Sequence, residues 1–346
     1  MQQLPHSVDN APDRKIHANR LRPLDDVRTS SYDYSGAQAS STSKEKASKP
    51  RQWFDFQKRT TVQAYLFLLP SLLGLLAFLL IPVIGVAVLS FFDWGLLAEP
   101  RFVGLQNYVQ LMQSPVVLHS LGVTAYFVVL NVPLETILAL LLALVMNRTL
   151  PGVGLFRVLY AVPWMATPVA MGIAWQWIFD PQYGALNSFL ALFGVHGPLW
   201  LASQASALPA IAIMSIWGNV GYTMLFFLAG LQGVPEQLYE AACIDGATPV
   251  QTFFKITLPL LNPAMYFVLV TNIIGSFQIF DTVYATTKGG PGDATNVLNY
   301  YIFREAFQFF HAGYASALSM VLFVILMLAT LLQALYFHRR TTYDLS

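Results

Sequence analysis

The chain has 346 residues, of which 55% are hydrophobic and only 11% charged, against roughly 25% charged in soluble globular domains. That balance excludes a soluble protein and predicts an all-α polytopic membrane protein. The formal net charge of +1 makes no case for nucleic acid, and the single cysteine, Cys243, excludes an internal disulfide and a multi-cysteine metal site.

Residues 1–59 are polar, rich in Ser, Asp, Lys and Arg, and carry no sustained apolar period. They are expected to be a largely disordered tail, with a docking arm for a regulator as the alternative. No apolar stretch of signal-peptide type follows the first basic residues, so the first hydrophobic segment should act as an uncleaved insertion signal. The membrane domain then runs over 60–340, and 341–346 form a short second tail.

Six segments are long enough to cross a bilayer, which takes about 20 apolar residues each. They cover approximately 64–91, 120–146, 156–179, 208–231, 263–285 and 315–337. Eleven Lys or Arg lie in residues 1–59, and Arg148, Arg157, Lys255, Arg339 and Arg340 fall on the same side, leaving Arg101, Lys288 and Arg304 on the other. The positive-inside rule makes the first side cytoplasmic and places both termini there. Pro70, Pro82, Pro133, Pro163 and Pro168 interrupt the first three spans. A freed carbonyl in lipid needs another partner, so these breaks suggest a bundle with a polar interior, or else kinks that only improve packing. Trp53, Trp94, Trp175, Trp177, Trp200 and Trp217 are read as an interfacial belt near span ends, with Trp164 as the exception.

The loop between the fourth and fifth spans, 232–262, is the longest polar break in the later part of the chain. Pro235 suits a first helical position and Glu236 puts an acid in the first turn. Gly246 should end that helix in a left-handed conformation. Thr248, with Pro249 after it and Gln251 three residues on, should open a second one through a capping box. Reversing the chain would take only about two to eight residues, so this elbow looks built for a partner.

Glu240, Ala241, Ala242, Gly246, Ile256, Leu258 and Pro259 match in type and spacing the signature EAA(x)3G(x)9IxLP, and the chain resembles the permease subunits of bacterial ABC importers over about 60–340. The resemblance implies six transmembrane helices of the type I importer fold and makes this loop, Asp245 included, a coupling helix seated in a cleft of a cytoplasmic ATPase. It also implies a second permease forming a heterodimer, two ATPase subunits, an extracytoplasmic solute-binding protein, and an inner-membrane location. ATP and Mg would be bound by the ATPases, with no cofactor in this chain. Phe280, Asp281, Tyr284, Thr287, Gly289, Gly290 and Pro291 resemble a second stretch, FDxxYxxTxGGP, of carbohydrate-transporting permeases. The implied solute is a sugar, with glycerol 3-phosphate or another polyol-like solute as the alternative.

Glu135 and Asp281 are the ionisable groups that fall inside spans, where charge is costly and therefore suggests function. Glu135 is read as equally suited to structure or transport; Asp281 could hold a sugar hydroxyl or fix the Gly-rich loop by pairing internally. A sugar site wants neutral hydrogen-bonding side chains beside aromatic rings. Asn219, Tyr222 and Thr223 in the fourth span and Asn272, Ser276 and Gln278 in the fifth are of that kind; tying helices together is their other reading. Asn219, two residues after Trp217, is the sugar contact that the resemblance to maltose-type permeases implies. No Lys or Arg lies deep in any span, which favours a neutral solute. An ion-coupled secondary transporter would need intramembrane carboxylates or histidines to carry the ions, and it remains the distant alternative. No HExxH, GxSxG or GxxxxGK[ST] motif is present, so no enzyme is expected. His119, His196 and His311 are scattered singly and read as surface residues, and Cys243 reads as a small buried packing residue.

Overall fold

The computed structural model describes Gln63 and residues 65–95, 99–148 and 151–338. The two expected tails, together with Trp53, Arg339 and Arg340, lie outside the described residues. Five helices are long and apolar enough to span a membrane: α1 (Tyr65–Leu89), α3 (Pro115–Met146), α7 (Gln204–Gln232), a helical stretch over Asn262–Ala285, and α13 (Ala312–His338). Two further pieces, α4 (Val153–Met165) and α5 (Pro168–Ile178), are long and apolar enough only together, and they are bent by 99° at the break between them. Before α3 come a two-stranded antiparallel pair, β1 (Phe92–Asp93) and β2 (Arg101–Phe102), and the short helix α2 (Gln106–Gln113). Another short helix, α6 (Ala185–Ala191), lies between α5 and α7.

Proline chemistry explains where the spans break and where they do not. Pro82 has no N–H to return to the Phe78 carbonyl, and α1 widens into a π turn over Leu76–Leu80 just before it. Pro133, expected to interrupt the second span, sits inside one continuous 32-residue helix. Its neighbours Asn131, Val132 and Glu135 are buried against other helices, so packing and side-chain hydrogen bonds keep the rod whole. The third span is broken at Pro168, one of the two prolines expected to interrupt it, while Pro163 stays inside a helix. Pro168 drives Thr167 out of the helical region to ψ 134°, Ala166 is extended at ψ 146°, and the run over 156–179 becomes two pieces. The fifth is also divided: α10 (Asn262–Phe277) stops before a non-helical link, with Phe280 at φ −144° and ψ −59°, and α11 (Asp281–Ala285) completes the crossing.

The centre of the bundle is α3 packed along α7, with α10 across them. Small residues let these helices approach. A methyl at Gly221 would run into the Tyr160 carbonyl, so α4 rests on the bare backbone of α7. One core region gathers Ala139, Ala143, Met224, Phe227, Leu261 and Val268. A second holds Phe127, Phe179, Ile211, Val283 and Val297, and a third, around Leu111, Leu298 and Leu318, seats α12 (Leu298–Phe303) and α13. Trp217, placed at a span end by the belt reading, instead lies in the middle of α7 and meets Trp175 edge-on at 5.6 Å.

Candidate functional site

Two regions carry the residues singled out by their chemistry. The first is the elbow. Helix α8 (Glu236–Ile244) begins one residue later than expected, with Pro235 as its cap at ψ 131°. It ends at Gly246, which takes φ +72°. The Ala247 N–H donates to the Ala242 carbonyl at 2.9 Å and the Gly246 N–H to the Cys243 carbonyl at 3.1 Å, the paired bonds of a left-handed helix terminus. Helix α9 (Pro249–Thr252) then opens with a reciprocal capping box: Thr248 Oγ1 accepts from the Gln251 N–H at 3.3 Å, and Gln251 Oε1 accepts from the Thr248 N–H at 2.9 Å. A π turn over Phe253–Thr257 leads through Leu258–Leu260 into α10. The two arms are tied by the hydroxyls of Tyr239 and Thr257, 3.2 Å apart, a contact that no sequence signal announced.

Glu240, Ala241, Asp245, Gly246 and Pro259 are exposed, Ile256 and Leu258 half-buried, and Ala242 buried. Cys243 is exposed, contrary to the packing role expected of it. Successive helix residues turn by about 100°, so the face that buries Ala242 carries its neighbour outward. Three apolar side chains stand open on the same elbow: Ile244 is 87% exposed, Val250 65% and Phe254 61%.

The second region is a cavity of about 300 Å³ between α3, α7, α10 and the broken third span. Every substrate-pathway candidate reaches it: Asn219, Tyr222, Ser276, Gln278 and Asp281 all line it, with Asn131, Glu135, Trp164, Thr223 and Asn272. The break after α4 aims Trp164 at Tyr222, and the rings stack at 4.2 Å with an interplanar angle of 5°. That stack was not foreseen, because it depends on where α4 ends. A smaller recess of about 170 Å³ shares Trp164, Asn219 and Thr282 with the cavity.

The polar groups divide into those already used and those free. Glu135 Oε1 accepts from the Thr223 hydroxyl at 2.8 Å and Oε2 from the Asn131 amide at 3.1 Å. That amide also donates to Ser276 Oγ at 3.2 Å, so the chain of bonds links α3, α7 and α10. Asn219 donates back to the Ser215 carbonyl at 2.9 Å within its own helix. Asn131 Oδ1 and Asn272 Nδ2 are buried without a hydrogen-bond partner. Gln278 caps the end of α10, at the break, and its side chain is exposed to the cavity.

Asp281 does not fix the Gly-rich loop. Its carboxylate is exposed and makes no hydrogen bond or ion pair among the described residues. The loop is held instead by Thr295, whose hydroxyl donates to the Gly290 carbonyl at 2.7 Å and lies 2.7 Å from Thr287 Oγ1. Gly289 takes φ +86°, and Phe280 and Tyr284 join an aromatic cluster with Phe303. The second motif is thus largely a scaffold.

A larger recess, about 430 Å³, lies outside the spans among Asp93, Gln106, Gln110, Tyr301, Glu305 and His311. Its buried Glu305 is already paired with His311 Nδ1 at 2.8 Å. Burial, and then the neighbouring Glu305 carboxylate, push the Tyr301 phenol above its usual range. His119 reaches the Asp293 carbonyl at 3.1 Å. A helical bundle with a polar internal cavity and an exposed elbow is the form of a membrane transport subunit.

Comparison with known proteins assigns that class. Residues 135–342 match the family described as binding-protein-dependent transport system inner membrane component, and the chain belongs to that family: it is a non-catalytic integral permease subunit of the inner membrane. It is 37% identical to the trehalose/maltose transport system permease protein MalF of Thermococcus litoralis, over 77% of this chain and 90% of that one. It is 35% identical to the sn-glycerol-3-phosphate transport system permease protein UgpA of Yersinia pestis, over 81% of this chain and 95% of that one. A solved bacterial ABC transporter that imports the acidic polysaccharide alginate shares the fold at a TM-score of 0.73, with 24% identity, over 84% of this chain and all of that one.

Proposed function

We infer that this chain forms half of the translocation pathway of an ATP-driven carbohydrate importer, completed by a second permease in a heterodimer. Of two ATPase subunits, which bind the ATP and Mg, one docks on the elbow at 232–262 and the other on the second permease. A solute-binding protein delivers its sugar to the opposite face, and both termini lie in the cytoplasm. Closure of the ATPases pushes the elbow and rocks the bundle between inward and outward openings. The elbow's form supports this reading: a rigid turn, capped at both helix ends, presents Glu240 and Asp245 beside the open apolar side chains of Ile244, Val250 and Phe254, a mixed surface suited to a protein cleft.

The observation that carries the sugar assignment is the cavity. Amides of Asn219, Asn272 and Gln278 stand beside the stacked rings of Trp164 and Tyr222, the pairing of neutral hydrogen-bonding groups and flat apolar surface that a pyranose requires. A relative named for trehalose or maltose supports a glycosidic solute. The test is uptake of a labelled sugar by cells carrying the complete transporter. Asn219→Ala and Gln278→Ala should each lower uptake at limiting sugar by about two- to tenfold, as loss of one hydrogen bond implies, with the assembled complex and its basal ATP hydrolysis retained. Unchanged uptake in both variants and in their combination would assign these amides to helix packing.

A further inference from the structure

Residues 181–203, which join α5 to α7, carry no Asp, Glu, Lys or Arg, although they stand outside the spans. They meet α7 at its start, whereas the elbow hangs from its other end. The 29 residues of α7 rise roughly 43 Å, against a hydrocarbon core of roughly 30 Å, so both its ends reach the headgroup layers. Within the link, α6 is held in one rotation. The Asn187 amide donates to the Pro181 carbonyl at 3.1 Å and the Pro198 carbonyl at 3.4 Å, and its Oδ1 accepts from the Trp200 indole N–H at 2.6 Å. Trp200 stacks in turn on the buried Phe179 at 4.9 Å. That rotation turns Leu186 and Leu190 inward and leaves Phe189, Leu192 and Phe193 open. Leu192 is 80% exposed and Phe193 70%, and the Phe193 ring meets that of Phe189 edge-on at 5.2 Å. Trp177, at the end of α5, and Tyr183 are exposed as well.

We propose that this link is an outer-leaflet anchor: α6 and the turn after it lie in the lipid headgroup layer, with Phe189, Leu192 and Phe193 pressed among the upper acyl chains. Apolar side chains held this far open need a permanent cover, and the bilayer is the one apolar phase always present at the end of α7. A solute-binding protein that comes and goes would leave the patch in water for much of each cycle, and surfaces built for such contact are about as polar as the rest of a protein. The link between α1 and α3, on the same face, is of that mixed kind: Asp93 and Arg101 pair across its strands next to the exposed Phe102. Rings such as those of Trp177 and Tyr183 suit the headgroup level. The anchor ties the outer end of the broken third span to the leaflet, because α5 runs into α6 through a turn braced by Asp180 Oδ1, which accepts from the Gln182 and Tyr183 N–H groups at 2.9 and 2.8 Å.

The test puts a nitroxide on Leu192→Cys, and separately on Phe193→Cys, in a chain whose one native thiol is removed by Cys243→Ser. The complete transporter is reconstituted into vesicles of equal parts phosphatidylethanolamine and phosphatidylglycerol. Collision rates of the nitroxide with oxygen, which concentrates in lipid, and with a water-soluble nickel chelate are then measured, with headgroup-labelled and acyl-labelled lipids as the depth scale. At both sites the ratio of oxygen to nickel collisions is expected to exceed that of the headgroup-labelled lipid by about threefold or more, as a position about 5 to 10 Å into the leaflet implies. A ratio at or below the headgroup value puts the patch in water and overturns the proposal. Suppression of both collision rates, either throughout or only once the solute-binding protein is added, makes the patch a protein contact and overturns it equally. A second measurement uses the unaltered chain, so that it stands even if neither variant assembles. A phosphatidylcholine carrying a diazirine near the top of one acyl chain should leave adducts within 181–203 on illumination, and a link without adducts, beside marked spans, removes the anchor.

Discussion

Glu135 shows how one buried polar residue can tie several helices together. Its bonds to Thr223 and Asn131 join α3 to α7 and, through Ser276, to α10, and hydrogen bonds between membrane helices are worth about 0.6 to 1.7 kcal/mol each. Thr223→Val should therefore lower the unfolding free energy of the detergent-purified subunit by about that much, read from the midpoint and slope of a denaturant titration. A midpoint equal to that of the parent would mean the bond is lost or replaced without consequence. Gly221 works through absence. Because its α carbon faces the Tyr160 carbonyl, Gly221→Ala must push α4 off α7, at a cost of about 1 to 3 kcal/mol for an overpacked contact. The same titration should rank it below Thr223→Val, and a smaller loss would mean that α4 can slide to make room.

The elbow acts as an element, and its parts make separate predictions. Gly246 at φ +72° admits a side chain only at about 1 to 2 kcal/mol, so Gly246→Asp should re-aim α9 and both reduce uptake and release the ATPase from washed membranes. Glu240→Ala, at an exposed helical position, leaves the backbone alone and should weaken ATPase retention with less effect on insertion. Normal uptake with normal ATPase retention in both variants would deny the elbow its proposed coupling role. The broken third span is the other element whose form matters. About 13 residues of α4 rise roughly 20 Å, short of a roughly 30 Å hydrocarbon core, and it is the break at Ala166 and Thr167 that lets Trp164 reach Tyr222.

At the scale of the whole molecule, the uneven distribution of Lys and Arg makes a prediction about sidedness. A reporter fused after Ser346 should be cytoplasmic, and one inserted near His196 external; the reverse pattern would detach the elbow from any cytoplasmic ATPase. Residues 1–50 hold no apolar stretch long enough in sequence to span a membrane. Their deletion should leave assembly and uptake within about twofold of the full chain, and a truncated chain that inserts without transporting would make the tail a working part.

Local chemistry was legible in the sequence wherever one residue type dictates one backbone state. The left-handed Gly246, the capping box of Thr248 and Gln251, and the six apolar stretches could all be read because glycine, a short hydroxyl side chain and about 20 apolar residues each have few alternatives. Residues Asn219, Tyr222, Ser276, Gln278 and Asp281 were also legible as polar or aromatic groups in the later spans, and they do line one cavity. Their division of labour was not. Whether Ser276 serves a helix contact depends on which side chain arrives from a distant span, as Asn131 does, and Asp281 stands free because Thr295, from the loop itself, holds the Gly-rich turn. The same reason explains the intact helix around Pro133 and the bend at Pro168: proline removes one donor in both places, but only the packing around it decides whether the helix survives. The Trp164–Tyr222 stack and the Glu135 network exist only once α3, α4, α7 and α10 are brought together, because each joins residues too far apart in the chain for any local pattern to link.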